Sequence, residues 1–330
     1  MDLPSADGLN TRRAALALLG SVAAWPAALH AQDVGKPARI AFLAAGSAPR
    51  PGQFSTFDAV AAGLRERGHV ALQTRAWFAD GRADALPALA QQVLAWQPEL
   101  IVTNLTPATL AARRATQTLP IVMAGSGDPV AAGLVHSLAR PGGNVTGIAA
   151  LGPELAAKSV ELLHELLPGL RRLAVLAHAT DVFTPAMLAA LTQTATALRV
   201  ELLVERVVEP GQYAGALERW RRQRADALFV QPSLPGAPAA ELALQQRLAS
   251  CSFVRSFVEQ GGLLAYANDL REVARLVVDT ADRILRGASP AQLPVQQNTR
   301  FDLLLNLRTA RTLGIAVPGT LLQRATEVIE

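Results

Sequence analysis

The chain has 330 residues, half of them hydrophobic and 18% charged, with a formal net charge of +4. That is enough apolar sequence for a large core, and for two lobes rather than one. The charge is too mild for a nucleic-acid groove, and the pairs Arg113-Arg114, Arg171-Arg172 and Arg221-Arg222 are too scattered, while the single cysteine, Cys251, excludes an internal disulfide.

Residues 1–31 read as an export leader. Arg12 and Arg13 precede an almost pure Ala, Leu and Val run over 14–24, which Trp25-Pro26 then breaks. The run is about half of what a membrane-crossing helix needs. Ala27, Ala28 and Ala31 supply small side chains for a peptidase, so the three regions of a secretory signal follow in order. The arginine pair after Thr11 has twin-arginine form. Cleavage is expected after Ala31, to within a few residues. Such a leader places the mature chain in the periplasm and implies the export machinery as a partner.

From Pro37 the chain alternates short apolar runs with amphipathic ones. The expected order is strand 38–44 (ARIAFLA), helix 54–67, strand 70–76, helix 86–96, strand 100–103 (LIVT), helix 106–116, strand 120–123 (PIVM), helix 129–138 and an extended run over 145–149. The pattern then restarts: helix 154–166, strand 173–177 (LAVLA), helix 185–198, strand 200–204, helix 211–224, strand 227–231 (ALFVQ), helix 239–249, strand 262–267 (GLLAYA) and helix 270–286. Strands apolar on both faces and alternating with helices mean parallel sheets covered on both sides. The expected fold is therefore α/β, with two doubly wound lobes.

Motifs for chemistry are missing. Gly125-Ser126-Gly127 begins like a dinucleotide fingerprint, but Val130 stands where the third glycine belongs. No P-loop and no nucleophile-elbow serine occurs. His164-Glu165 opens like a zinc-protease helix, but Pro168 takes the place of the second histidine. No histidine has a ligand-spaced partner, so neither metal nor cofactor is expected.

What the strand ends hold is small and polar. Ligands of open α/β sheets bind at those ends. Thr106-Pro107 after LIVT and Asp128-Pro129 after PIVM read as two capped helix starts, each with proline in the first turn. Their free N–H groups would receive a carboxylate, with Thr106, Ser126 and Asp128 at its end. Ser47, Asn104 and Gly125 belong to the same set of loops. The second half offers His178 and Asp181 after LAVLA, Ser233 after ALFVQ, and Tyr266 and Asp269 in and after GLLAYA. Asp181 and Asp269 are candidates for an ammonium, and Tyr266, Phe54 and Phe183 for stacking.

The run TLPIVMAGSGDPVAAGLVHSLARPGGNVTGI, the strand GLLAYA, and LPVQQNTRFDLLLNLRTARTLGIAVPGTLL with its terminal ATEVIE closely resemble the ABC-transporter substrate-binding family of tryptophan/tyrosine transport components. The resemblance spans nearly the whole mature chain. It implies a periplasmic-binding-protein-like type I fold, with three hinge crossings near Gly147, within GLLAYA and near 294–299. The lobes would then be 37–147 plus 266–293 and 148–265 plus 294–330, with Gln296, Gln297 and Asn298 as hinge groups. It also implies a monomer that binds a small amino acid-like ligand and delivers it to a membrane permease and ATPase. A sensory receptor for a membrane kinase, or an exported enzyme, is the alternative. Two departures bear on the ligand. Ser250-Cys251-Ser252 runs almost directly into Phe257-Val258-Glu259, as though a short strand ending in an aromatic residue were deleted, and His178 stands where asparagine is usual.

Overall fold

The computed structural model describes residues 37–330; the expected leader lies outside the described residues. The first series is β1 (Arg39–Ala44), α1 (Thr56–Glu66), β2 (Gln73–Phe78), α2 (Leu86–Ala95), β3 (Leu100–Asn104), α3 (Thr106–Ala115), β4 (Ile121–Ser126) and β5 (Val145–Ala149). The second is α4 (Gly152–Leu166), β6 (Arg172–His178), α5 (Thr184–Leu198), β7 (Glu201–Val207), α6 (Tyr213–Arg222), β8 (Ala227–Val230), α7 (Gly236–Gln245), β9 (Ala249–Ser252), α8 (Arg255–Glu259) and β10 (Leu264–Asn268). The chain closes with α9 (Leu270–Leu285), β11 (Gln296–Gln297), β12 (Phe301–Asn306), α10 (Leu307–Leu313), α11 (Gly319–Arg324) and β13 (Glu327–Ile329).

These strands make two sheets, ordered β11-β5-β4-β3-β1-β2 and β13-β12-β10-β9-β8-β6-β7. Every pairing is parallel except β10 with β12. The period of two along each strand sends alternate residues to opposite covering layers. Ile40 and Phe42 of β1 pack with residues of α1 and α9, while Ala41 and Leu43 pack with residues of α2 and α3. In the second sheet Leu173, Val175 and Ala177 pack with α4 and α5, and Ala174 and Leu176 with α6 and α7. Each lobe is thus a three-layer sandwich whose inner strands have no polar face, which is why they read as unbroken apolar runs; the edge strands β2 and β7 keep exposed polar residues such as Arg75 and Glu201.

Sheet membership places the crossings a few residues from where the sequence suggested. Ile148, Ala149, Gln296 and Gln297 belong to the first sheet, and residues 266–268 belong to the second through β10. Two asparagines tie the three crossings together. Asn298 is wholly buried; its Nδ2 donates to Asn268 Oδ1 at 2.7 Å and its backbone N–H to the Ala149 carbonyl at 3.4 Å. Asn268 Nδ2 in turn donates to the Ala150 carbonyl at 3.3 Å.

Two local expectations are corrected. Residues 129–138 form turns, not a helix. Gly133 takes φ +65°, outside the right-handed helical region, which ends the turn that Asp128 starts, and Leu134 and Val135 are then both buried. The strand thought to be deleted is present as β9, paired with β8 and β10 and followed by Phe253. Ser252 is buried with its polar groups used: its Oγ donates to the Val230 carbonyl at 2.7 Å, and its carbonyl accepts from Ser159 Oγ at 3.1 Å.

Candidate functional site

The carboxyl ends of both sheets meet across one gap. On the first lobe its wall is the turn from β3 into α3 and the end of β4. Leu105 precedes α3 at φ 66° and its side chain caps nothing. Thr106 is therefore not the cap but the first residue of the helix, where backbone N–H groups have no intrahelical acceptor. Its side chain is buried; Oγ1 lies 2.9 Å from Ser126 Oγ and accepts the Gly127 N–H at 3.2 Å. Those bonds fix the start of α3 to the end of β4. Asp128 accepts from Val130 N–H and Ala131 N–H within its own turn. With no helix after it, the expected pair of helix starts reduces to one.

On the second lobe the wall is built around Gln231, the residue after β8, and the loop after β6. Gln231 is fully buried. Its Nε2 donates to Asp181 Oδ2 at 2.9 Å and to Ser233 Oγ at 3.0 Å. Its Oε1 accepts from the His178 N–H at 2.8 Å and from Thr184 Oγ1 at 3.0 Å. Asp181 Oδ1 accepts the Phe183 N–H at 3.0 Å. Burial lowers the pKa of His178 while the nearby Asp181 pulls it back up, and its Nδ1 accepts the Thr180 N–H at 3.3 Å. The ring of Phe183 meets Phe253 edge-on at 6.0 Å, and Phe253 lies 6.1 Å from Phe229. An aromatic column thus runs from the gap into the core.

The lobes touch across this gap. A Cβ on Gly127 would lie 2.6 Å from Phe183 Cδ2, and one on Gly81 would lie 2.5 Å from Pro235 Cγ. Gln53 Nε2 donates to Glu259 Oε2 at 3.0 Å. What remains between them is a cavity of about 30 Å³, room for about two waters. Leu105, Thr106, Gly125 and Gly127 line it from one side; Asp181, Phe183, Gln231, Ser233 and Phe253 line it from the other. A larger open groove of about 520 Å³ runs between α4 and α5, but its lining comes wholly from those two helices, away from every strand end. Among the described residues, no cluster of three or more His, Cys, Asp or Glu is arranged to hold a metal.

Of the residues singled out in the sequence, Thr106, Gly125, Asp181, Phe183 and Ser233 line the cavity. Ser126 and His178 stand behind it, bonded to Thr106 and Gln231. Asn104, beside Leu105, donates from Nδ2 to the Ala124 carbonyl at 3.4 Å. The others lie off it. Ser47 is exposed. Asp269 caps α9, accepting from Arg271 N–H and Glu272 N–H, and Tyr266 packs on Phe301 at 5.6 Å within the second lobe. Phe54 stacks under Arg271. Gln231 and Phe253 escaped the sequence reading. A glutamine closing the apolar run ALFVQ was the available signal, because a polar side chain at the end of a buried strand must find partners.

Two doubly wound lobes with a polar and aromatic cavity clamped between their strand ends define a solute-binding protein of the type I periplasmic kind. A family profile for ABC transporter substrate binding proteins matches residues 48–209 and 243–329, and the chain belongs to that family. It is similar to the "Tyrosine-binding protein" of Clostridioides difficile strain R20291, 24% identical over 233 residues, which cover 69% of this chain and 66% of that protein, a little under two thirds of its length. Among solved structures it resembles a conserved domain protein from Vibrio cholerae O1 biovar El Tor, with a TM-score of 0.80 and 26% identity over 89% of this chain and all of that one. It also resembles an ABC domain from Streptococcus pneumoniae in complex with L-Trp, with a TM-score of 0.78 and 24% identity over 88% and 99% of the two chains.

Proposed function

We propose that this protein is a periplasmic receptor that captures a small, amino acid-like ligand with an aromatic side chain and presents it to an ABC importer. The observation that carries this reading is the cavity itself. A carboxylate and a hydroxyl from one lobe, Asp181 and Ser233, face the start of α3 on the other, with Phe183 and Phe253 beside them. The ammonium is assigned to Asp181, the ligand carboxylate to the amides at the start of α3 and to Thr106, and the aromatic body to Phe183 and Phe253. The tyrosine-binding relative and the tryptophan-bound neighbour support an aromatic amino acid.

Capture works by closure. The cavity has no room for an amino acid as it stands, so the ligand enters with the lobes apart and contacts the second wall only as they approach. A ligand shifts the open–closed equilibrium by its differential affinity for the two states, and the hinge at the three crossings is where a closure of this type bends. The closed form then docks on a permease powered by an ATPase. No bond is made or broken, so no catalytic group, cofactor or nucleic-acid surface is called for, and the receptor acts as a monomer after export by its leader. A thermal-shift panel of the twenty amino acids and small carboxylates tests this, since a ligand that binds only the folded state raises the melting temperature by mass action. The aromatic amino acids are expected to give the largest rise. An unmoved melting temperature across the panel contradicts the amino acid assignment.

A further inference from the structure

The second lobe carries an arginine at the same point of three successive helix-to-strand turns. Arg199 follows α5, Arg224 follows α6 and Arg247 follows α7, at φ 58°, 56° and 56°. In each turn the next residue closes the helix by donating to a carbonyl five residues back: Val200 N–H to Ala195 at 2.8 Å, Ala225 N–H to Trp220 at 3.0 Å and Leu248 N–H to Ala243 at 2.8 Å. That closure needs a left-handed residue, normally glycine, and any side chain there is strained. The first lobe has Gly68 and Gln97 at such turns, so the fold itself does not call for arginine. All three arginines are exposed, and among the described residues no ion pair includes them.

Sheet register gathers them on one edge. β9, β8, β6 and β7 are consecutive in the sheet, with Ala249 opposite Ala227, Ala227 opposite Leu173, and Arg172 opposite Glu201. Counted back from those pairs, Arg247, Arg224, Arg171 and Arg199 precede four adjacent strands at nearly one level, a row about 14 Å long at the usual strand spacing. Arg171 is exposed too, as is Arg222 in the last turn of α6, and neither enters an ion pair among the described residues. The carboxylates at this edge are fewer: Glu201 is matched by Arg172 Nε at 3.1 Å, and Asp226 Oδ2 accepts the Arg171 and Arg172 N–H groups at 2.8 Å each. The edge is the opposite end of the strands from the cleft, so it takes no part in capture. A row of long cationic side chains suits an extended anionic surface better than a single ion, and no described helix is long and apolar enough to cross a membrane. We propose that this base of the second lobe is a peripheral membrane-binding face, which rests on anionic phospholipid headgroups and leaves the cleft free to fill. The proposal holds whichever solute the cleft takes.

Co-sedimentation with vesicles tests it, using protein purified as the cell exports it, so that the state of the leader is common to every variant. Vesicles of equal parts phosphatidylcholine and phosphatidylglycerol are expected to bind at least about tenfold more tightly than phosphatidylcholine alone, and added salt should weaken that binding by screening. Each arginine removed from the row should cost about fivefold, so the triple variant Arg199→Gly, Arg224→Gly, Arg247→Gly should lose about a hundredfold. Its melting temperature should hold, because glycine is at ease at positive φ. The control removes three exposed first-lobe arginines, Arg65→Gln, Arg114→Gln and Arg140→Gln, and should bind within about twofold of the parent. Equal losses in the two triple variants would show that net charge alone acts, and would overturn the assignment of this face. Indifference to phosphatidylglycerol, or binding of soluble polyphosphate through the same arginines without binding of vesicles, would overturn the membrane as the partner.

Discussion

Gly127 has no side chain because Phe183 of the other lobe stands where a Cβ would be. Gly127→Ala is therefore expected to wedge the gap, lowering ligand affinity about tenfold or more (about 1.4 kcal/mol) while the melting temperature stays nearly constant; titration calorimetry beside a thermal melt separates the two effects. Gly147 is different in kind. It takes φ +125°, and a Cβ there would run into the backbone N and O of Met123 on the neighbouring strand. Gly147→Ala should cost about 3 kcal/mol or more of stability, measured by urea unfolding. At this scale the sequence was legible where a small polar residue ends an apolar run, as at Asp181 and Ser233. It was silent where function depends on what lies behind. Gln231 acts through bonds its neighbours make, and Phe253 follows Ser252, which looks like surface until its hydroxyl is seen to be paired. Asp269 and Asp128 have the same chemistry as Asp181, and only local geometry turns them into caps.

The elements follow the period of their apolar residues. In α9 that period buries Val273, Leu276, Val277, Ala281 and Ile284 against the first sheet and leaves Asp282 at the edge, where His69 Nε2 and Arg286 Nε each donate to Oδ1 at 2.8 Å. Desolvation pushes the Asp282 carboxyl upward, but the bonds from His69 and Arg286 outweigh it and hold its pKa below the ordinary value. A carboxyl lowered by folding contributes stability above its unfolded pKa and loses it as pH falls through the folded one. Asp282→Asn is thus expected to cost about 2 kcal/mol at neutral pH and to flatten the fall in stability below about pH 4, as read from urea midpoints across pH. Elements without such a period were the ones misread. Residues 129–138 carry enough apolar residues for a helix, but Gly133 at positive φ interrupts one and leaves turns. The last strands, β12 and β13, depend on pairings that no local pattern announces.

For the whole molecule, two apolar–amphipathic series predicted two lobes, and the structure has them. The gap between them was legible only as a consequence of that fold, because strand ends from distant parts of the chain must be brought face to face. The account rests on capture by closure. Nitroxide labels at Ala48→Cys and Val208→Cys mark the two lobes, since both positions are exposed, and native Cys251 is buried, with its thiol pushed up by that burial, so it stays unlabelled. Pulsed electron–electron distance measurement, with and without saturating L-tyrosine or whichever amino acid binds, is the most direct test. The account predicts that ligand draws a long or broad distribution into one shorter distance, and an unchanged distribution at proven saturation would contradict it.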